Sequence, residues 1–203
     1  MVAKDRPQSA GGWGIRNARV AEAFRQVPRR EFVEPEYRDR ADEDTSLPIG
    51  EGQTISQPSL VAKMLELLGL EGKGKVLEIG TGSGFETAVL SLLSAEVYSV
   101  ERVAYLAKAA RERLRRLGFD KNTHLFIGNG SKGWPKYAPY EAIVVSAAAS
   151  RFPEALVDQL KEGGRIIIPV GGQGDQILRL GVKRKGQIEL SDIEAVSFVP
   201  LVG

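Results

Sequence analysis

Five short apolar runs, Lys75 to Ile79, Glu96 to Val100, His124 to Ile127, Ala142 to Ser146 and Arg165 to Val170, alternate with segments whose apolar positions recur at helical spacing. The helical patterns cover about 84 to 94, 103 to 117 and 153 to 161. Nearly continuous apolar strands are buried on both faces, so the alternation predicts a parallel sheet with helices on each side. Gly163 and Gly164 are expected to supply a left-handed cap to the last helix. Two further strand-like runs, Gln176 to Lys183 and Ala195 to Leu201, follow with no helix between them and predict an antiparallel edge. The expected fold class is α/β: a doubly wound, Rossmann-like, mostly parallel sheet with that antiparallel edge.

Upstream, Val20, Ala21, Ala23 and Phe24 mark a short amphipathic helix from Asn17 to Gln26, ended by Pro28. Residues 36 to 57 read as an irregular segment punctuated by Pro48, Gly50 and Gly52, and loops of that length usually carry function. Pro58 suits a helix first turn, and Leu60, Val61, Met64, Leu65, Leu67 and Leu68 continue that helix to Gly69. Residues 1 to 12 have no period and read as a flexible tail; 13 to 203 read as one domain with a helical and irregular N-terminal extension over 13 to 70.

Composition narrows the functional classes. A chain of 203 residues with 42% hydrophobic content supports one full-sized core. No run reaches the ~18 apolar residues of a membrane helix, and Lys4, Asp5 and Arg6 have no apolar signal core behind them, so a soluble cytoplasmic chain is expected. With no cysteine and one histidine, His124, neither a thiolate site nor an imidazole cluster is available, and no metal is expected. Charges nearly balance at 28 basic and 26 acidic residues, which argues against a nucleic-acid partner. The run Arg111, Arg113, Arg115, Arg116 reads as a solvated helix face. Trp134 and the arginines after Val27 could stack on bases and contact phosphates, but packing is the better reading for Trp134.

The chemistry concentrates after the first strand of the alternating part, where Val76-Leu77-Glu78-Ile79 runs into Gly80-Thr81-Gly82-Ser83-Gly84. The third glycine is one residue too early for the dinucleotide-binding G-x-G-x-x-G spacing. Together with Glu101 at the end of the next strand, placed to accept both hydroxyls of a ribose, the loop points to S-adenosylmethionine rather than NAD. Glu78 is expected to act electrostatically, or through a bridging water, near the amino group of the methionyl moiety. Asn129, before Gly130 and after the third strand, has an oxygen that accepts from an adenine amino group and an amide that donates to a ring nitrogen; the competing reading is a plain Asn-Gly turn.

With these residues in view, the chain resembles the protein-L-isoaspartate O-methyltransferase family over nearly its whole length. The resemblance rests on Val27-Pro28-Arg29 with Phe32-Val33, Leu47-Pro48-Ile49-Gly50, Gly52-Gln53-Thr54-Ile55-Ser56-Gln57-Pro58, the glycine loop, Gly133-Trp134-Pro135, Ala147-Ala148-Ala149, Ile168-Pro169-Val170-Gly171 and Phe198-Val199-Pro200-Leu201. It implies methyl transfer from S-adenosylmethionine to the free carboxylate of isoaspartyl residues in damaged proteins. It implies Ser56 as the site serine, with Gln53, Thr54, Ile55, Ser56, Glu78, Gly80, Thr81, Gly82, Ser83, Gly84, Glu101, Asn129 and Gly130 around the cofactor. By the same resemblance Ile55, Ser56, Val199, Pro200 and Leu201 hold the isoaspartyl peptide. Asn129 stands where the family motif has aspartate, Ser59 where a larger ring-bearing residue is frequent, and Phe85 where tyrosine is usual.

A free carboxylate, which ordinarily titrates at ~3.5, is already ionised at neutral pH, so it needs no general base, and the scarcity of histidine is no objection. Ser56 is expected to orient that carboxylate by hydrogen bonding, with a helix N-cap near Pro58 as its alternative or additional role. Asn129-Gly130 is also a sequence prone to succinimide formation, so self-deamidation at Asn129 is a hypothesis for peptide mapping to test. Two rivals stay open at this level: a methyltransferase of another nucleophile, and a module that binds damaged chains without turnover.

Overall fold

The computed structural model describes residues 13 to 202, and the tail expected at 1 to 12 lies outside the described residues. The chain begins with α1 (Ala18–Gln26), 3-10 turns at Arg29–Phe32 and Pro35–Arg40, and a two-strand ribbon of β1 (Leu47–Pro48) and β2 (Thr54–Ile55). It continues through α2 (Pro58–Leu68), β3 (Lys75–Ile79), α3 (Phe85–Leu93), β4 (Glu96–Glu101), α4 (Ala104–Leu117) and β5 (Thr123–Ile127). Then follow β6 (Tyr140–Val145), α5 (Glu154–Asp158), β7 (Leu160–Gly172), β8 (Asp175–Arg184) and β9 (Gln187–Val196). Strands β3 to β9 form one sheet in the order β5-β4-β3-β6-β7-β8-β9. Pairing is parallel as far as β7 and antiparallel from β7 through β9, as the doubly wound reading requires. Strand order reverses beside β3, and a reversal of this kind opens a crevice at the carboxyl ends of the strands.

Alternation along each strand sorts side chains onto two faces. Val76, Val97, Ala142 and Val144 face the helical layer, where they join Phe24, Val61, Leu65, Val89 and Leu106 in one core. Phe24 and Phe32 meet Phe85 edge-on at 5.7 Å, which ties the N-terminal segment into that core; each ring fully buried contributes on the order of 1.5–3 kcal/mol. Leu77, Ile79, Val100, Ile143 and Val145 face the other way. That face is covered unequally, by the short α5 and an aromatic pad of Tyr98, Trp134, Tyr137 and Tyr140. Phe126 on the outer strand β5 stacks on Trp134 at 5.1 Å and keeps 44% of its surface exposed.

Three expectations are corrected. Residues 36 to 57 are not irregular: the 3-10 turn and the ribbon Leu47↔Ile55 organise them, and backbone bonds between Ile49, Gly50 and Gln53 close the turn. Gly163 and Gly164 do not cap a helix. The helix already ends at Asp158, and both glycines fall inside β7, where five steps from Leu160 to Arg165 face two from Tyr140 to Ala142, with Gly163 at φ +75° absorbing the irregularity. The last strand runs from Gln187 to Val196 rather than from Ala195 to Leu201, because the polar alternation of 187–196 suits a half-exposed edge. The residues beyond it leave the sheet, Phe198 bonding to Gln176 of β8 and Pro200 bridging Ala148 just after β6.

No helix among the described residues is long and apolar enough to cross a membrane. Among them no group of three or more histidines and carboxylates is placed to hold a metal ion.

Candidate active site

After β3 the backbone passes through Gly80, Gly82 and Gly84 at φ +97°, +52° and +88°. A side chain at any of the three would strain the turn, which explains the glycine at every second position. Gly80 N–H donates to Val100 O at 2.9 Å and Ser146 N–H to Ile79 O at 2.9 Å, so the ends of β3, β4 and β6 are pinned together where strand order reverses. Arg113 reaches across from α4 and donates from Nη1 to Ser83 O at 2.6 Å, its guanidinium 6.0 Å from the Phe32 ring. Arg113 is thus not simply part of a solvated face; it braces the loop.

Glu101 ends β4 beside this loop and is 7% exposed. Its Oε2 accepts from Gly82 N–H at 2.8 Å and its Oε1 from Val103 N–H at 2.9 Å. An ionised carboxylate has about four acceptor sites, so two remain for hydroxyl donors in the crevice.

The crevice is a cleft with Gly80, Thr81, Gly82, Ser83 and Glu101 on its floor. Gln53, Thr54, Ile55 and Ser56 form one wall, and Gly130 and the segment Val199, Pro200, Leu201 enclose it from the other side. The enclosing segment is fixed by Ala148, whose N–H donates to Val199 O at 2.8 Å and whose carbonyl accepts from Leu201 N–H at 2.7 Å. Of the residues expected at the site, Gly84, Glu78 and Asn129 do not line the cleft. Gly84 caps α3 behind it. Asn129 Oδ1 accepts from Ser131 N–H at 2.9 Å and from Ser131 Oγ–H at 2.8 Å, the Asx-turn arrangement. Gly130 follows it into the cleft, packed so closely on Ile79 that a Cβ there would collide.

Glu78 shares the parity of Val76 and therefore points under α3, fully buried. Its Oε2 accepts from Thr87 Oγ1 at 2.6 Å and Ser99 Oγ at 2.5 Å, while Oε1 has no partner. Burial first, then the charge of Glu86, push its carboxyl well above the usual range. Glu86, in the first turn of α3, is the carboxylate that lines the cleft, and sequence reasoning missed it. Ser146 Oγ donates to its Oε2 at 2.6 Å, and Oε1 is again buried without a partner. Burial pushes Glu86 up to about 7, against the opposing pull of the Ser146 hydrogen bond.

A second, open groove of about 1180 Å³ runs between α2 and the strand that ends in Val196. Thr54, Ser56, Ser146 and Val199 line both cavities, so the two meet at these four residues. The helix-cap role considered for Ser56 falls to others: Gln57 is the N-cap residue of α2, and Asp44 accepts from Ser59 N–H at 2.9 Å. Asp44 also accepts from Gln57 at 3.0 Å; burial opposes its ionisation, but these bonds and the Arg29 charge hold it below the usual carboxylate range. Arg29 is wholly buried. Its Nη1 donates to Ala41 O at 2.6 Å, and its Nη2 to Thr45 O at 2.8 Å and Ser56 O at 3.2 Å. Desolvation lowers it to about 10, against the pull of Asp44, Asp42 and Glu43. A guanidinium so enclosed is unavailable to phosphate, and its link to the Ser56 carbonyl could not be read from sequence, because a buried arginine looks like any other.

The family model for protein-L-isoaspartate (D-aspartate) O-methyltransferase matches residues 10 to 203. A protein-L-isoaspartate O-methyltransferase of Halorhodospira halophila is 50% identical over 190 residues, covering 93% of this chain and 86% of that protein. One of Myxococcus xanthus is 51% identical over 194 residues, covering 94% and 91%. Among solved structures, a protein-L-isoaspartate O-methyltransferase superposes with a TM-score of 0.87 at 32% identity, covering 96% of this chain and 64% of its own. A Plasmodium falciparum protein described as a member of that family, in complex with S-adenosyl-L-homocysteine, gives 0.82 at 27% identity and covers 98% and 99%.

Proposed function

The chain belongs to the protein-L-isoaspartate (D-aspartate) O-methyltransferase family, and from that premise we propose which of its residues perform the reaction. It is an S-adenosylmethionine-dependent carboxyl methyltransferase that acts on isoaspartyl residues of damaged proteins. The observation that carries the assignment is the meeting of a small cleft over the glycine loop with a much larger groove at Thr54, Ser56, Ser146 and Val199. A small cofactor belongs in the first and a polypeptide in the second, with the methyl passing where they join.

The cleft suits the cofactor chemically. Glu101 retains acceptor sites for the two ribose hydroxyls, the three positive-φ glycines add no side chain to the floor, and Glu86 and Glu101 bring carboxyl groups to the cleft, which suits a cationic sulfonium. When bound, S-adenosylmethionine supplies an electrophilic methyl on a sulfonium. Gly80 to Ser83 approach it through backbone, and Gly130 supports its base side; an adenine contact from the Asn129 oxygen requires release of Ser131. Ser56 presents its hydroxyl at the junction and orients the isoaspartyl carboxylate by hydrogen bonding, without taking a proton from it. Its backbone is held for that purpose by Arg29. Val199 to Leu201 shield the junction from water and, with Ile55, grip the peptide. Positioning of two reactants then carries the rate, an effect worth up to ~7–11 kcal/mol in favourable cases.

Peptide rather than nucleic acid is the partner this surface favours, since Arg29, Arg111, Arg113 and Arg116 are all engaged within the chain. The test is labelled methyl donor with matched peptides containing isoaspartate, aspartate or neither. Base-labile methylation of the first alone is expected; equal labelling of all three, or none, refutes the assignment.

A further inference from the structure

The mechanism above leaves one feature of the cleft without a task. Glu86 is 7% exposed, lines the cleft, uses one oxygen on Ser146 and keeps the other buried and unpartnered. An anionic oxygen held out of water without a donor is costly, and the structure around it offers no relief. On β3, Glu78 is a second buried carboxylate that repels it, and Glu101 on β4 adds to the negative potential at Glu78. The group facing Glu86 from the end of β6 is the neutral hydroxyl of Ser146. No lysine or arginine among the described residues is paired with Glu78 or Glu86. Such a pocket is built for a cation that arrives from outside.

We propose that the free oxygen of Glu86 is the acceptor for the α-ammonium group of the cofactor's amino-acid end. The inference rests on the cleft being the cofactor site and adds the residue that reads one end of that cofactor. The location fits: Glu86 stands two residues beyond the glycine loop, in the first turn of α3, and is bonded to Ser146, which lines both cavities. Glu101, on the other side of the loop, takes the ribose end. Ser146 then has a positioning role, fixing the Glu86 carboxylate so that its second oxygen stays directed at the ligand.

Binding calorimetry at pH 8 tests this with two ligands that share the nucleoside. S-adenosylhomocysteine carries the α-ammonium; 5′-methylthioadenosine lacks the amino-acid end altogether. In Glu86→Gln the first ligand is expected to bind about 10- to 100-fold more weakly, the size of a lost charged hydrogen bond, while the second is unchanged. A second readout is the unliganded protein's thermal midpoint. Because Glu86 stands near 7 when folded and near 4.5 otherwise, the wild type loses stability as pH rises through that window, and Glu86→Gln, which keeps only the buried Glu78 carboxyl, loses less. The variant is therefore expected to be more heat-stable than wild type at pH 8 before ligand is added; a lower thermal midpoint would mean that the carboxylate is already satisfied within the fold and would overturn the proposal. Equal weakening of both ligands, or unchanged affinity for S-adenosylhomocysteine, overturns the role of Glu86. Undiminished binding of both ligands by Glu101→Ala would instead sink the placement of the cofactor in this cleft.

Discussion

Removing the Glu101 carboxylate measures how much of the cofactor site depends on one side chain. Its two oxygens already accept from Gly82 and Val103 N–H, at 2.8 and 2.9 Å, and the remaining acceptor sites are those assigned to the ribose hydroxyls. Hydrogen bonds to a charged acceptor contribute about 1.5–3 kcal/mol each, so Glu101→Ala forfeits about 3–6 kcal/mol of ligand binding. That is a loss of about 10²- to 10⁴-fold in affinity. The loop is affected too, since two backbone N–H groups lose their partner; both face the cleft, where water replaces the carboxylate, so the stability cost is the smaller effect. Glu101→Gln keeps one acceptor oxygen and should fall between wild type and alanine. The assay is calorimetric titration with S-adenosylhomocysteine beside thermal unfolding of the unliganded protein. An alanine variant that binds within about threefold of wild type while unfolding at the same temperature would refute the ribose assignment, because about 3 kcal/mol is the least that two charged bonds supply.

Other perturbations separate the remaining roles. Ser56→Ala is expected to lower kcat/KM for isoaspartyl peptides by about 10- to 150-fold, the value of one charge-assisted hydrogen bond, with S-adenosylhomocysteine affinity intact; unchanged turnover would remove Ser56 from the mechanism. Arg29→Met strands the carbonyls of Ala41 and Thr45 and should cost about 2–5 kcal/mol in urea unfolding, whereas a phosphate-contacting arginine would leave stability untouched. The Asn129 carboxamide is held by two bonds from Ser131, and ring closure onto Gly130 must break them, so the hypothesis of self-deamidation gives way to protection. Peptide mapping after ageing should find Asn129 intact in folded protein and converted in urea-denatured protein; equal conversion in both would show that the turn protects nothing.

The parallel strands were legible because each is a short apolar run bounded by turn residues, and β3 was placed at Lys75 to Ile79 without error. The glycine loop was legible because alternating glycines between a strand and a helix have few other uses, and all three took positive φ. What escaped the sequence were interactions made by ordinary residues in unusual surroundings. Arg29 and Glu86 look like surface charges until tertiary packing encloses them. Glu78 illustrates the converse: its place before the loop suggested a cofactor contact, but strand parity turns it under α3. The edge of the sheet was misplaced for a related reason. Val199 to Leu201 is apolar because it closes a cleft, and apolarity alone does not distinguish a cover from a strand.

The buried guanidinium of Arg29 has a consequence for how such a scaffold changes over generations. Every acceptor it engages in the 41–45 segment is a main-chain carbonyl, so these hydrogen bonds do not depend on side-chain identity there, while the charges of Asp42, Glu43 and Asp44 support the buried cation. Substitutions there that keep the acidic charge leave the anchor in place, and the serine on its far side stays where it was. Side chains that meet different partners can therefore vary around a fixed backbone, with one arginine as the anchor that permits the variation.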